Sequence, residues 1–147
     1  MRLRKFRIKK LSSGGLITNY FCTSNCRHCL YNCGPDWPKE YIEKDTARKN
    51  FRKIKSLGCH SVHIGGGEPM LRPDGLADVL DEADEEGLSI DYVETNSSWF
   101  RDPDSADETL RQLKEHGLQT LLISISPFHN EHIPFFATRN AVEIGRE

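Results

Sequence analysis

Ser61-Val62-His63-Ile64 runs directly into Gly65-Gly66-Gly67-Glu68-Pro69, and this junction decides how the rest of the chain is read. Two β-branched or apolar residues alternating with polar ones, closed by three glycines and a proline, predict a strand that stops abruptly at a turn. Downstream, Leu76, Val79, Leu80 and Ala83 fall on one face of a helix predicted over 74–86, with Gly87 as its stop. Leu88 to Val93 predicts the next strand, closing in Glu94-Thr95-Asn96-Ser97. A helix over 104–116 carries Leu110 and Leu113 and stops at Gly117; Thr120 to Ile125 predicts a fourth, apolar strand. A final helix is predicted over 133–144.

Upstream the same alternation holds. Ile42, Ala47, Phe51, Ile54 and Leu57 recur at helical intervals over 41–57, ahead of Gly58, and Leu16 to Phe21 is a short apolar run. Strands alternating with helices imply right-handed crossovers and a parallel α/β sheet. The later strand ends are spaced by about 30 residues, as a βαβ unit requires. The first interval is longer, and the extra loop holds cysteines. In such sheets reactive groups gather at the carboxyl ends of the strands. Those ends carry the cysteines, the Gly-Gly-Gly-Glu-Pro turn, Thr95-Asn96, and Ser124 with Ser126.

Composition sets the bounds. The chain has 147 residues, 37% hydrophobic and 29% charged, with a formal net charge of −2, which suits one globular core. Residues 1–147 are therefore expected to form a single domain. No stretch approaches the roughly 20 apolar residues of a membrane span. No apolar segment follows the basic start as in a secretory leader, so a cytoplasmic location is expected. Residues 1–13 form a basic leading segment with Arg2, Arg4, Lys5, Arg7, Lys9 and Lys10. It reads as a solvated arm on an acidic body, and nucleic acid is not an expected partner.

Five cysteines, three of them within eight residues, do not make a secreted disulfide framework. Cys22-x3-Cys26-x2-Cys29 presents three soft thiolates suited to an iron–sulfur cluster or to zinc. A four-iron cubane held by three thiolates leaves one iron open. Zinc held by Cys22, Cys26, Cys29 and either His28 or Cys33 is the alternative. Cys33 reads as a loop thiol, with a spare or auxiliary ligand as the other reading, and Cys59 as a small buried hydrophobe at the far end of its strand. His129 and Trp99-Phe100 could face a pocket, or be ordinary loop and rim residues.

The three cysteines resemble the Cys-x3-Cys-x-aromatic-Cys signature of the radical S-adenosylmethionine (radical SAM) superfamily, with His28 at the aromatic position. Gly65-Gly66-Gly67-Glu68-Pro69 resembles that superfamily's Gly-Gly-Glu-Pro motif at the next strand end. Thr95-Asn96-Ser97 resembles its Thr-Asn-Gly turn, and Ser124-Ile125-Ser126 its Ser-x-Asp, with Ser126 in place of the acid. The resemblance implies a [4Fe–4S] cluster on Cys22, Cys26 and Cys29. It also implies S-adenosylmethionine bound by Gly65, Gly66, Gly67, Glu68, Pro69, Asn96, Ser124 and Ser126. The implied function is an oxidoreductase-type enzyme that cleaves S-adenosylmethionine reductively to a 5′-deoxyadenosyl radical, which abstracts hydrogen from an unidentified substrate. An electron donor such as flavodoxin or ferredoxin is the implied partner.

The resemblance further implies a parallel-stranded partial TIM-type (βα) barrel, with about four of the usual six βα units present. The chain is expected to be the N-terminal part of such a core domain, incomplete at its C-terminus. A minimal enzyme and an assembly completed by another chain are the other readings. The alternative functions are a small activase of a glycyl-radical enzyme and a non-catalytic cluster- or zinc-binding module.

Overall fold

The computed structural model of the protein describes residues 9–146. Strands β1 (Gly14–Ile17), β2 (Ser61–Gly65), β3 (Ser89–Thr95) and β4 (Leu121–Ile123) form one sheet in that order. Every neighbouring pair is parallel. Helices α1 (Lys44–Ser56), α2 (Pro73–Glu85) and α3 (Pro103–Glu115) make the crossovers, while α4 (Pro127–Asn130) and α5 (Phe135–Ile144) follow β4. The sequence of elements is the predicted βα alternation.

Side chains alternate across each strand, so one sheet face meets the helices and the other does not. Leu16, Val62, Ile64 and Val93 are buried in one cluster with Phe51, Leu76, Leu80 and Leu113 of the helices. The expected face of α2 is the buried one: Leu76, Val79, Leu80 and Ala83 all belong to this core. Glu82 joins them, fully buried, because Arg48 of α1 donates to both its carboxylate oxygens, Nη2 to Oε1 at 2.7 Å. That bidentate pair ties α1 to α2.

The opposite face is polar. His63 stacks on Tyr92 at 5.3 Å between ring centroids, and its Nε2 lies 4.0 Å from Glu94 Oε1. A Cβ on Gly15 would sit 2.4 Å from that imidazole, so the glycine of β1 leaves the space that the ring occupies.

Two strands are shorter than in the sequence reading, and an extra helical turn stands before the last helix. β1 ends at Ile17 rather than running to Phe21. Thr18 and Asn19 turn toward β2 instead, with Thr18 N donating to Gly65 O at 2.9 Å. β4 is only three residues long, although its apolar run is six. The final helix predicted over 133–144 is α5, and a short helix that was not predicted precedes it. Pro127 starts the single turn α4, and Pro134, which has no N–H to donate, precedes α5.

Arg2, Arg4, Lys5 and Arg7 of the basic leading segment lie outside the described residues, while Lys9 and Lys10 are exposed. Among the described residues no helix is long and apolar enough to cross a membrane.

Candidate functional site

The carboxyl ends of the four strands surround a cavity of about 240 Å³. Cys22, Cys26 and Cys29 line it from the loop after β1. Gly66, Gly67 and Pro69 line it from the turn after β2, Thr95 and Asn96 from the end of β3 and the residue after it, and Ser124 from just beyond β4. Five of the eight residues expected to bind the cofactor therefore face the cavity together with the three cysteines. Gly65, Glu68 and Ser126 do not.

Each exception has a physical reason. Gly65 is a strand residue, and a Cβ there would meet Glu94 Oε2 at 3.0 Å. Ser126 caps α4 and its Oγ lies 2.8 Å from His129 Nδ1. Glu68 is completely buried and turned into the protein. Its Oε1 accepts from Met70 N at 3.1 Å and from Thr95 Oγ1 at 2.8 Å; its Oε2 accepts from Asn96 N at 2.6 Å. Thr95 Oγ1 in turn accepts from Ser97 N and from Trp99 Nε1, both at 3.0 Å, so its own proton goes to Glu68. Burial pushes the Glu68 carboxyl up to about 7, and the three donors hold it from rising further.

The glycines of the turn serve chain packing. A Cβ on Gly67 would stand 2.1 Å from Phe21 O, and Gly66 has φ +153° with Asn19 Oδ1 2.7 Å from its Cβ position. The turn is stitched to the chain ahead of the cysteines by Gly67 N to Asn19 O at 2.8 Å and Glu68 N to Phe21 O at 3.2 Å. Asn19 Nδ2 adds bonds to Phe21 O and Glu68 O. Close approach is thus between two stretches of backbone, and it fixes where the cysteine loop begins.

Asn96 reaches across to that loop. Its Oδ1 accepts from Ser98 N at 2.9 Å, so the atom 3.2 Å from Cys22 Sγ is the Nδ2 donor. Ser24 N donates to the same sulfur at 3.4 Å, and Cys33 N donates to Cys29 Sγ at 3.3 Å. N–H groups aimed at sulfur favour thiolate over thiol. Burial works the other way, pushing the Cys22 and Cys26 thiols up and driving Cys33 to about 12, which favours their protonated forms. A coordinated metal reverses this by deprotonating its thiol ligands.

Among the described residues no three His, Cys, Asp or Glu side chains converge as the ligands of a single ion do. The cysteines border a cavity instead, and a soft three-sulfur set around a cavity, with N–H donors on two sulfurs, fits a polynuclear iron–sulfur cluster.

Several cavity residues escaped the sequence reading or were undecided in it. His28 does pack as an aromatic, its ring 4.9 Å from Phe128 and 5.0 Å from His129, which joins α4 to the cysteine loop. His129 lines the cavity, and burial followed by the nearby His28 lowers its basicity. Glu94 lines it too, as part of β3 rather than of the turn that the sequence reading gave it to. Cys33 is buried and also lines the cavity. Trp99 and Phe100 are buried in the core. Cys59 is buried as expected, its thiol donating to Ser61 O at 2.9 Å.

Comparison with known proteins adds to this geometry. The family model described as the Radical SAM superfamily matches residues 16–144. A GTP 3′,8-cyclase from Limosilactobacillus fermentum is 31% identical over 113 residues, covering 75% of this chain and 32% of that protein. An AdoMet-dependent heme synthase from Methanosarcina barkeri is 27% identical over 104 residues, covering 71% of this chain and 28% of its own length. The chain thus spans about a third of the curated relatives it matches.

Two solved structures align with the fold. HydG, a maturase of the [FeFe]-hydrogenase, has a TM-score of 0.62 at 19% identity, over 93% of this chain and 34% of its own. Methylornithine synthase (PylB) has 0.64 at 18%, over 95% and 42%. The shared fold is the parallel partial TIM-type βα barrel.

Proposed function

Because the chain belongs to the radical SAM superfamily, whose enzymes use a [4Fe–4S] cluster and S-adenosylmethionine, we propose that its cavity holds both. Cys22, Cys26 and Cys29 are the cluster ligands in this reading. When bound, the two groups together supply a one-electron cleavage of the sulfonium and a carbon radical that takes hydrogen from a C–H bond.

The chain's own residues do the rest. Gly66, Gly67 and Pro69 present backbone to S-adenosylmethionine on one side of the cavity, and Asn96 and Ser124 present polar groups on another. Glu68 acts from behind, holding Asn96 and Thr95 in place. Asn96 positions Cys22 through the Nδ2 bond. His129, whose basicity burial lowers, and Glu94 stand where a substrate would approach the cavity. The observation that carries the reading is the convergence of three thiols and three further strand ends on one cavity.

The two kinds of curated relative are named for different activities, so their likeness supports the radical-generating part and leaves the substrate unassigned. In this reading residues 1–147 are one core domain, flavodoxin or ferredoxin supplies the electron, and the protein works in the cytoplasm. Anaerobic reconstitution with iron and sulfide, followed by dithionite and S-adenosylmethionine, tests it. A brown chain with four irons that releases 5′-deoxyadenosine supports the proposal. Stoichiometric zinc without that product would sink it and favour a binding module.

A further inference from the structure

The fourth thiol of the cavity has a placement that simple packing does not require. Cys33 is 5% exposed, yet it lines the same cavity as Cys22, Cys26 and Cys29. Its backbone is fixed there from both sides. Phe21 and Gly34 form an isolated parallel bridge, with Cys22 N donating to Gly34 O at 3.1 Å and Gly34 N to Tyr20 O at 3.2 Å. These bonds hold Cys33 alongside Cys22. On the other side Asn32 takes a left-handed φ of 54°, and its carbonyl accepts from Trp37 Nε1 at 2.8 Å. A non-glycine residue in that region re-aims the chain at some energetic cost. The cost is borne immediately before Cys33, whose N–H then meets Cys29 Sγ at 3.3 Å.

Cys59 supplies the contrast within the same molecule. It is buried too, but its thiol donates to a backbone carbonyl two residues away, at the end of β2 remote from the cavity. Cys33 instead shares a cavity wall with three other sulfurs.

Resting on the cluster-binding reading above, we infer that Cys33 is a reserve cluster ligand that takes the open iron when S-adenosylmethionine is absent. Coordination forms an iron–sulfur bond and releases the thiol proton to solvent. S-adenosylmethionine displaces the sulfur, which recovers a proton, so the exchange involves no oxidation or reduction. The consequence is a cluster with four protein ligands at rest, shielded from losing its exposed iron.

The experiment uses the full chain, reconstituted anaerobically and then exposed briefly to ferricyanide, with iron content and EPR as readouts. Cys33→Ala and Cys33→Ser are compared with the parent chain, each with and without S-adenosylmethionine. Without it, Cys33→Ala is expected to lose iron at least about ten-fold faster and to show the three-iron signal, while the parent keeps the four-iron form. Adding S-adenosylmethionine to Cys33→Ala should restore protection. A second arm compares Cys26→Ala with Cys26→Ala/Cys33→Ala: the single variant keeps a cluster and the double variant does not. Circular dichroism of the apo chains separates folding loss from ligand loss, and the near-isosteric Cys33→Ser decides if Cys33→Ala unfolds. Equal iron loss and identical spectra for the parent and Cys33→Ser overturn the inference. Failure of the parent chain itself to take up a cluster overturns the underlying cluster reading, and this inference with it.

Discussion

Asn96 donates its side-chain amide to Cys22 Sγ at 3.2 Å, joining residues 74 positions apart. The bond makes the end of β3 part of the cysteine site. Its direction is set by Ser98 N, which occupies Asn96 Oδ1. Replacing Asn96 by Asp removes the donor and turns a carboxylate oxygen toward the sulfur. Loss of such an outer partner typically costs 10- to 100-fold in metal affinity, roughly the range expected for cluster retention in Asn96→Asp. Iron release into a chelator measures it; release at the parent rate would show that the bond does not support the sulfur.

Gly67 allows no side chain. Its Cβ would lie 2.1 Å from the backbone oxygen of Phe21, one residue before Cys22, and backbone cannot swing aside as a flexible side chain does. Gly67→Ala is expected to destabilise the fold by about 3 kcal/mol or more and to lower cluster uptake in parallel. Urea unfolding and iron content, read on the same preparation, check the pair of effects.

Ser97 points to a substitution that improves stability. It sits at φ 69°, is fully buried, and its Oγ has no hydrogen-bond partner among the described residues. Ser97→Gly relieves both the left-handed backbone and the orphaned hydroxyl, while the Ser97 N to Thr95 Oγ1 bond needs only backbone. The expected gain is about 1 kcal/mol, after allowing for the flexibility glycine adds to the unfolded chain. A higher urea midpoint with an unchanged slope is the expected result.

Glu68 gives the stability a pH dependence of defined sign. The carboxyl titrates near 4.5 ordinarily and near 7 in the fold, so between those values the folded chain holds a proton that the unfolded chain has lost. That contribution is complete below pH 4.5 and disappears as pH rises through 7, worth roughly 3 kcal/mol at most. Glu68→Gln should flatten this segment of the stability profile. A slope of opposite sign in the parent chain would mean that the three donors outweigh burial.

The fold was legible because its signals are periodic. Leu76, Val79, Leu80 and Ala83 repeat at helical spacing, and each predicted helix stop fell on a glycine with positive φ, at Gly58, Gly87 and Gly117. The shortened strands were not legible, since Thr18 and Asn19 turn toward partners more than 40 residues away that periodicity does not report. The cavity lining was readable where glycine and cysteine mark it. It was not readable at Glu68, whose motif position gives no hint that its carboxylate faces inward. At His129 the sequence left two readings open, because the approach of that residue depends on a turn started by Pro127.

The bonds among strand ends are unevenly shared, and this divides the molecule into a conserving part and an adaptable one. Side chains of Asn19, Glu68, Thr95 and Asn96 lock the first three strand ends to one another. The fourth meets them through backbone and rings instead: Ser124 N donates to Thr95 O at 2.8 Å, which any side chain allows, and the His28 ring packs on Phe128 and His129. Side chains from Ser124 to His129 can therefore change without touching the side-chain bonds that lock the first three strand ends together.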